Sequence, residues 1–449
     1  MRDGDLPQGW AWSTLGSLGN YQNGRGFSRA EWGTRGRPII RIQNLTGSGA
    51  AFNYFDGELE ERFKVPPGSL LVSWAATLGV YEWNGPEGAL NQHIFKVDSF
   101  VDRDYHRWAI EHLLNDMRRQ SHGSGMVHIT KSRFDDTRVP VPPLAEQRRI
   151  VEAIETAFSK LDAGVAYLDA AKRRLDRLAQ SLMWSSLLGG RAVMLGDDGL
   201  PIIPSGWSWQ ALGSMATIAG GVTKDSNRQD DPTFVEVPYL RVANVQRGWL
   251  DLSEITTIRV APDKAAALRL EPNDVLFNEG GDRDKLGRGW IWEGQIDDCI
   301  HQNHVFRARL NGQDMQPKFV SWWGNTFGRN WFEKAGKQTT NLASINLTTL
   351  KTFPVPVPPT CEQVRIVDQI DVQMSLLTAA RAEVDVQLRR SGALRRAVLT
   401  AAFSGKLVSQ ESSDESASAL LERIAALRVE SGPLTHKKRR RTASKGATQ

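Results

Sequence analysis

The chain has 449 residues, of which 40% are hydrophobic, enough for about two to four domains with sizeable cores. No apolar run approaches the roughly 20 residues that span a bilayer. Met1-Arg2-Asp3-Gly4-Asp5 lacks the apolar stretch of a signal peptide. Cys299 and Cys361 are too few for a disulfide framework or a paired zinc knuckle, so a soluble, cytoplasmic protein without membrane contact is expected. The formal net charge is +5, but eight Lys/Arg against five Asp/Glu lie from Gln410 onward, which leaves only +2 for the rest. Bulk charge therefore says little about partners, and local clusters must carry that argument.

In chain order, residues 1–143 read as a first mixed α/β head. It opens on Leu6-Pro7-Gln8-Gly9-Trp10-Ala11-Trp12 and continues through short strands such as Pro38-Ile39-Ile40-Arg41-Ile42, punctuated by Gly, Asn, Asp and Pro. A helix is expected near Arg103–Gln120. The head closes on Val139-Pro140-Val141-Pro142-Pro143-Leu144-Ala145-Glu146-Gln147.

Residues 144–190 read as a helical rod. Ile154, Leu161, Leu168, Leu175 and Leu182 recur every seven residues, with Val151, Phe158 and Val165 on the neighbouring seam. Gly189-Gly190 supplies the residues that tolerate positive φ beyond a helix end.

The whole arrangement then repeats. Residues 200–358 form a second head, opening on Ile203-Pro204-Ser205-Gly206-Trp207-Ser208-Trp209, with a helix near Pro317–Glu333 and the closing phrase Val355-Pro356-Val357-Pro358-Pro359-Thr360-Cys361-Glu362-Gln363. Residues 359–408 form a second rod with Ile370, Leu377, Val384 and Val398 on its stripe, broken by Ser391, and Val367, Met374 and Leu388 beside it. Thr360 with Gln363 has the pattern of a capping box, and Gly405 ends the rod. Inside the heads, Ile40-Arg41-Ile42-Gln43-Asn44 pairs with Leu240-Arg241-Val242-Ala243-Asn244, Pro67-Gly68 with Pro272-Asn273, and Asn91-Gln92-His93 with Gln302-Asn303-His304. The offset drifts from 197 to 216 through the heads, but from Ile129/Ile345 to Gly189/Gly405 it holds at 216 without a gap. Loop lengths thus differ between the heads while the rods match. Residues 409–449 read as a short helix and a basic tail expected to be disordered.

Each rod, at ~1.5 Å per residue, is roughly 65–70 Å long and needs a partner for its apolar stripe. The fold class is α+β: two α/β heads, each followed by a long helix, with the two helices paired as an antiparallel coiled coil of pseudo-two-fold symmetry. Packing of each rod on its own head, or separate dimers, is the alternative.

Catalytic signatures are missing. The Pro-Pro pairs at 66–67, 142–143 and 358–359 lack the Asn/Asp-Pro-Pro-aromatic form of an adenine methyltransferase, and no G-x-x-x-x-G-K-[ST] loop is present for an ATP-driven motor. The chain reads as catalytically silent.

The ordered set of two Pro-x-Gly-Trp starts, two Val-Pro-Val-Pro-Pro-x-x-Glu-Gln junctions, two rods, the closing Phe403-Ser404-Gly405-Lys406-Leu407-Val408 and the segment Ser418-Ala419-Leu420-Leu421-Glu422-Arg423-Ile424 resembles the specificity subunit of type I restriction-modification enzymes over about residues 1–429. The resemblance implies two target-recognition domains, each reading one half of a split, asymmetric site on double-stranded DNA, with the helices fixing the gap. It also implies docking of two methyltransferase (modification) subunits and association with motor-nuclease (restriction) subunits. S-adenosylmethionine, ATP and Mg would belong to those partners, none to this chain. A catalytically silent scaffold that binds proteins through two repeated modules is the competing reading.

Reading base edges calls for Arg or Lys against guanine and Asn or Gln against adenine, with phosphate contacts for position. The richest segment is Gly280–Gly289, where Arg283, Lys285 and Arg288 sit among glycines in a sequence similar to a Gly-Gly-Asp-x-Asp-Lys-Leu-Gly loop of these recognition domains. Thr77, in the shorter Ser73–Gly79, stands in its place in the first head. Further DNA-contacting candidates are Asn23, Arg25 and Arg29, the equivalent Thr223 and Lys224, and the end-of-head groups Lys131, Ser132 and Arg133, and Lys337, Gln338, Thr339 and Asn341. For each of these a solvated turn is the plain alternative. Arg41 with Asn44, and Arg241 with Asn244, recur in both heads and suit a scaffold role. Cys299, His301 and His304 are read as structural rather than metal-binding, because alternation separates His304 from the other two. Lys437-Lys438-Arg439-Arg440-Arg441 reads as a solvated run able to touch phosphate nonspecifically.

Overall fold

The computed structural model describes residues 6–430 apart from 49–50, 76, 121–129, 198, 227–228, 282–284, 336 and 339–342. Among the described residues the helices longer than ten residues are α1 (Arg103–Gln120), α2 (Leu144–Leu187), α3 (Pro317–Ala335), α4 (Thr360–Phe403) and α5 (Ala417–Glu430). None of the described helices is long and apolar enough to cross a membrane. The chain divides into two compact units, residues 1–167 with 387–449, and residues 168–386.

In the first unit an antiparallel sheet runs in the order Gly19–Asn23, Ile94–Ser99, Ser69–Ser73, Gly79–Trp83. A second sheet contains the parallel pair Arg37–Ile40 and Gly88–Leu90. The second unit repeats this plan: Ala216–Ala219, Val305–Leu310 and Val275–Asn278 form one sheet, and Val235–Leu240 lies parallel to Ile300–His301 in another. The correspondence reaches single residues. Gly68 and Asn273, paired in the sequence, both take positive φ, +79° and +78°. Each donates its N–H to a tryptophan carbonyl, that of Trp83 at 2.6 Å and that of Trp292 at 2.7 Å.

The duplicated phrase is the joint between head and rod. Its first three residues, with the residue before them, form a strand (Arg138–Val141 and Pro354–Val357) that pairs with the opening strand of the same head, Trp12 opposite Pro140 and Trp209 opposite Pro356. A two-stranded edge ladder tolerates the missing proline N–H groups. Its glutamate accepts a hydrogen bond from the opening tryptophan: Trp10 Nε1 to Glu146 Oε2, and Trp207 Nε1 to Glu362 Oε2, each 3.0 Å. The glutamine that follows is fully buried in both copies. Gln147 Nε2 donates to the Pro142 carbonyl and its Oε1 accepts from Asp102 N–H, both at 2.9 Å. Gln363 Nε2 donates to Pro358 O (2.8 Å) and Asp314 O (2.9 Å), and its Oε1 accepts from Gln316 N–H at 2.8 Å. The capping box expected of Thr360 and Gln363 is therefore not formed. Thr360 lies inside α4, the Pro359 carbonyl takes the first helical N–H bonds, and Gln363 is drawn to the entrance of α3 instead.

The long helices pair antiparallel, and each unit shows it separately. In the first, Leu399, Ala402 and Phe403 of α4 share a core with Ile150, Ile154 and Phe158 of α2. There Arg395 pairs with Asp162 and lies over the Phe158 ring at 4.4 Å. In the second, Lys172 meets Asp385 at 2.7 Å, Arg381 meets Asp176 at 2.5 Å, and Ser186 donates to Gln373 Oε1 at 3.2 Å. Partner numbers in α4 fall as those in α2 rise. Of the expected stripe, Ile154, Ile370 and Leu377 are buried, while Leu161, Leu168, Leu175, Leu182, Val384 and Val398 are half-buried. The neighbouring seams pass from Phe158 and Val165 to Lys172, Ala179 and Ser186, and from Val367 and Met374 to Arg381, Leu388 and Arg395. Polar side chains occupy the places where the apolar repeat lapses. Both helices end on left-handed glycines, Gly189, Gly190 and Gly405.

One local expectation is corrected. The strand expected at Pro38–Ile42 stops at Ile40, and its counterpart in the second head stops at Leu240. Beyond them Asn44 Oδ1 accepts from Arg41 N–H (3.1 Å) and Asn244 Oδ1 from Arg241 N–H (2.8 Å), which turns the chain. Of the end-of-head groups, Lys131, Ser132 and Arg133 open a short helix, whereas Lys337–Gln338 is a short strand, and the second head has its matching helix further on. Lys131–Asp135 is capped by Thr130 and Leu347–Lys351 by Asn346, at the same offset of 216 as the rods. The short helix expected after residue 409 is α5, which contains Ser418–Ile424 and joins the core of the first unit through Leu420 and Ile424. Lys437–Arg441 lie outside the described residues.

Two buried histidines make stability depend on pH. His106 is enclosed between the hydroxyls of Tyr21 (2.7 Å) and Ser99 (2.8 Å), and His301 Nδ1 meets the Val305 carbonyl at 2.6 Å. Burial holds both imidazoles down to about 4. The unfolded chain, with histidines near 6.5, then binds more protons than the folded one as pH falls below that value. The stabilisation is full above about pH 6.5 and is lost progressively towards pH 4. We expect each histidine to lower stability by about 2 kcal/mol between pH 7 and pH 5, read by urea unfolding at the two pH values. His106→Gln should reduce the pH slope of the first unit alone; an unchanged slope would rule out this origin.

Candidate nucleic-acid interface

In each head three loops converge on one end of the main sheet. The first follows the opening sheet strand, and in both copies a glycine lets it press against backbone. A Cβ on Gly24 would stand 2.1 Å from the Asn91 carbonyl oxygen, and one on Gly221 would stand 2.0 Å from that of His301. Arg25 N–H is bonded to Leu90 O, and Val222 N–H to His301 O. The second loop carries His93 or His304. The third is the hairpin after Ser69–Ser73 or Val275–Asn278, and its first residue is Trp74 or Glu279. Trp74 N–H bonds to His93 O at 3.3 Å, and Glu279 N–H to His304 O at 2.9 Å.

In the first head this geometry gathers several sequence candidates. Asn23 Oδ1 accepts from Trp74 Nε1 at 3.3 Å. The Trp74 ring stacks on Phe95 at 5.7 Å and stands edge-on to His93 at 5.4 Å. Lys131 Nζ lies 5.9 Å above the Phe95 ring and bonds Asp135 at 2.5 Å. Thr77 is exposed on the same hairpin, and its carbonyl takes the Ser73 hydroxyl at 2.5 Å. Ser132 donates to Asp136 at 3.1 Å, and Arg133 is exposed. Arg25 is committed to Glu31 at 2.8 Å and lies over Phe27 at 3.9 Å, while Arg29 is exposed beside it. The Ser28 backbone N–H, then Arg25, hold the Glu31 carboxyl down to about 2.

In the second head Thr223 and Lys224 are exposed just after Val222. The hairpin loop is longer here and returns along its strand, with Asn278 N–H on Arg288 O at 2.8 Å. Arg288 also donates to the Val242 carbonyl at 3.3 Å, and Lys285 is half-buried. Gly280–Gly281 pairs with Ala343–Ser344, which pairs with Lys337–Gln338, so the end-of-head segment meets the hairpin through backbone. Arg283, Thr339 and Asn341 lie outside the described residues.

The histidine reading divides. Cys299 and His301 are interior, and burial pushes the Cys299 thiol up to about 12. His304 is exposed instead, with Nδ1 2.5 Å from Glu279 Oε2. Trp74, His93, Glu279 and His304 were not among the sequence candidates. Their signal was available: one histidine shared by both heads, facing a residue that differs completely between them. Only the strand register shows that they face each other.

The family model for the type I restriction modification DNA specificity domain matches residues 7–164 and 204–384. The type I restriction enzyme EcoBI specificity subunit of Escherichia coli is 26% identical over 448 residues, covering 94% of this chain and 93% of that one. The StySPI specificity subunit of Salmonella potsdam is 23% identical over 463 residues, covering 96% and 98%. A chain solved in work on complex assembly and conformational transition of the type I R-M system superposes with a TM-score of 0.70 at 18% identity, over 90% of this chain and 100% of that one, which is likeness of fold. The chain thus belongs to the family of type I restriction-modification specificity subunits, a non-catalytic class.

Proposed function

We propose that each head reads one half of a bipartite, asymmetric site on double-stranded DNA, and that the paired helices set the gap. The observation that supports this most is a contrast within the duplication. Equivalent loops gather at the same end of each head yet differ in length and chemistry, while the two 44-residue helices are equal. On this reading the joints and helices also dock two methyltransferase subunits, and a motor-nuclease subunit joins the complex. S-adenosylmethionine, ATP and Mg serve those partners.

Exchanging residues 200–358 for the second head of another family member tests the reading. Sequencing of methylated bases in a host carrying the complete system should show one half-site changed, with the other half-site and the gap retained. A change in both halves, or in neither, overturns it. Gel shifts against a random bipartite DNA library, with the methyltransferase partner present, separate this reading from a protein-binding scaffold, which would show no sequence preference at any salt concentration.

A further inference from the structure

The geometry points to Glu279 as the residue of the second head that reads an exocyclic amino group on one base, cytosine N4 or adenine N6, and to position 74 as the place where the first head differs. This deepens the proposed half-site reading and rests on it.

Glu279 follows the last residue of the strand Val275–Asn278 and opens the glycine-rich hairpin. Its backbone is fixed from both sides, with its N–H on His304 O and its carbonyl taking Ile345 N–H, each at 2.9 Å. A directed chain fixes its side chain. Asn303 Nδ2 lies 3.3 Å from His304 Nε2, and His304 Nδ1 lies 2.5 Å from Glu279 Oε2. An amide donor at Nε2 makes that nitrogen the acceptor, so the proton sits on Nδ1 and is donated to the carboxylate. His304 is a positioning residue: it holds Oε2 and sets the plane of the carboxylate. Among the described residues Oε1 takes no hydrogen bond. A half-exposed carboxylate oxygen held in this way accepts from an amino group and repels the N7, O6 and O4 acceptors of other base edges, so it selects by exclusion as well as attraction.

The first head makes the contrast. Trp74 has the same backbone bond to the histidine of its own copy, but its side chain offers no acceptor. Its Nε1–H goes to Asn23, and its ring is stacked on Phe95. An apolar face at the place of a carboxylate suits a base edge without an amino donor, such as the methyl side of thymine. One scaffold position thus carries opposite chemistry in the two heads.

The experiment uses the complete complex, its native DNA site, and site variants in which the exocyclic amino group of one base at a time is removed. Wild type should bind one variant in the second half-site about 10- to 100-fold more weakly than the native site, and the base concerned shows whether cytosine or adenine is read. Glu279→Gln should lose most of that discrimination at that base alone, and His304→Gln should lose part of it, with the first half-site and the gap unchanged. Because Gln is isosteric with Glu, and the DNA variants need no altered protein, a folding defect cannot imitate this pattern. If no amino group of the second half-site matters to wild type, or if one matters equally to Glu279→Gln, the assignment of Glu279 is overturned while half-site reading stands. If the native complex shows no bipartite preference at all, the underlying reading fails instead.

Discussion

Deleting residues 169–175 from α2 together with 382–388 from α4 is expected to abolish methylation of the native site, and any site that replaces it should keep both half-sites with a shorter gap. The two heptads face each other, so the Lys172–Asp385 pair leaves as a unit while Asp176–Arg381 and Asp162–Arg395 keep their partners. Seven residues are nearly two helical turns, so the apolar stripe stays in phase, and the rod shortens by about 10.5 Å. At 3.4 Å per base step this is about three base pairs, and it also rotates one half-site by roughly a third of a DNA turn. Methylome sequencing of a host carrying the variant system gives the answer. Retention of the native gap would rule out the helices as its ruler. A heptad deleted from one helix alone should behave worse, because every charge beyond the cut loses its partner.

The second large effect concerns the joint. Gln363→Met is expected to destabilise the second unit by about 3–5 kcal/mol, since it leaves the Pro358 and Asp314 carbonyls and the Gln316 N–H buried without their partner. Gln147→Met removes the partner of two backbone groups rather than three and should cost the first unit less, about 2–4 kcal/mol. Gln363→Glu should be no milder than Met at neutral pH, because it aims a carboxylate oxygen at two carbonyls. Urea unfolding followed by tryptophan emission measures all three variants; losses below about 1 kcal/mol for both methionine variants would show that the joint is not held by these bonds.

Large features were legible because they are periodic or duplicated. The rods announced themselves through Ile154 to Leu182 at sevenfold spacing, and their equality through an unbroken offset. The family followed from the ordered motifs. The roles inside the joint were not legible, because Glu146 and Gln147 are adjacent in sequence yet serve Trp10 and Asp102, which only the folded register brings near. Candidate cations were chosen by type, and the fold assigns several to internal duty: Arg25 to Glu31, Arg288 to the Val242 carbonyl. Glu279 was passed over because an acidic side chain does not look like a DNA contact until its place beside His304 is known. The turn at Arg41 reads as strand in the sequence because the β-branched Ile40 and Ile42 outweigh a single asparagine three residues on.

The charges along the helix pair also decide its direction. Laid parallel, with equivalent residues of the duplication side by side, α2 and α4 would set Asp169 against Asp385, Lys172 against Leu388, Asp162 against Thr378 and Asp176 against Gly392. Like charges would meet, and every cross-helix ion pair would be left without its counter-ion. The apolar stripe fits either arrangement almost equally well, so these few polar side chains give the folding chain its sense of head and tail. A fragment carrying only one of the helices has no such instruction from its own kind: two copies of α2 side by side in register repel at the same aspartates that help to orient the full-length protein.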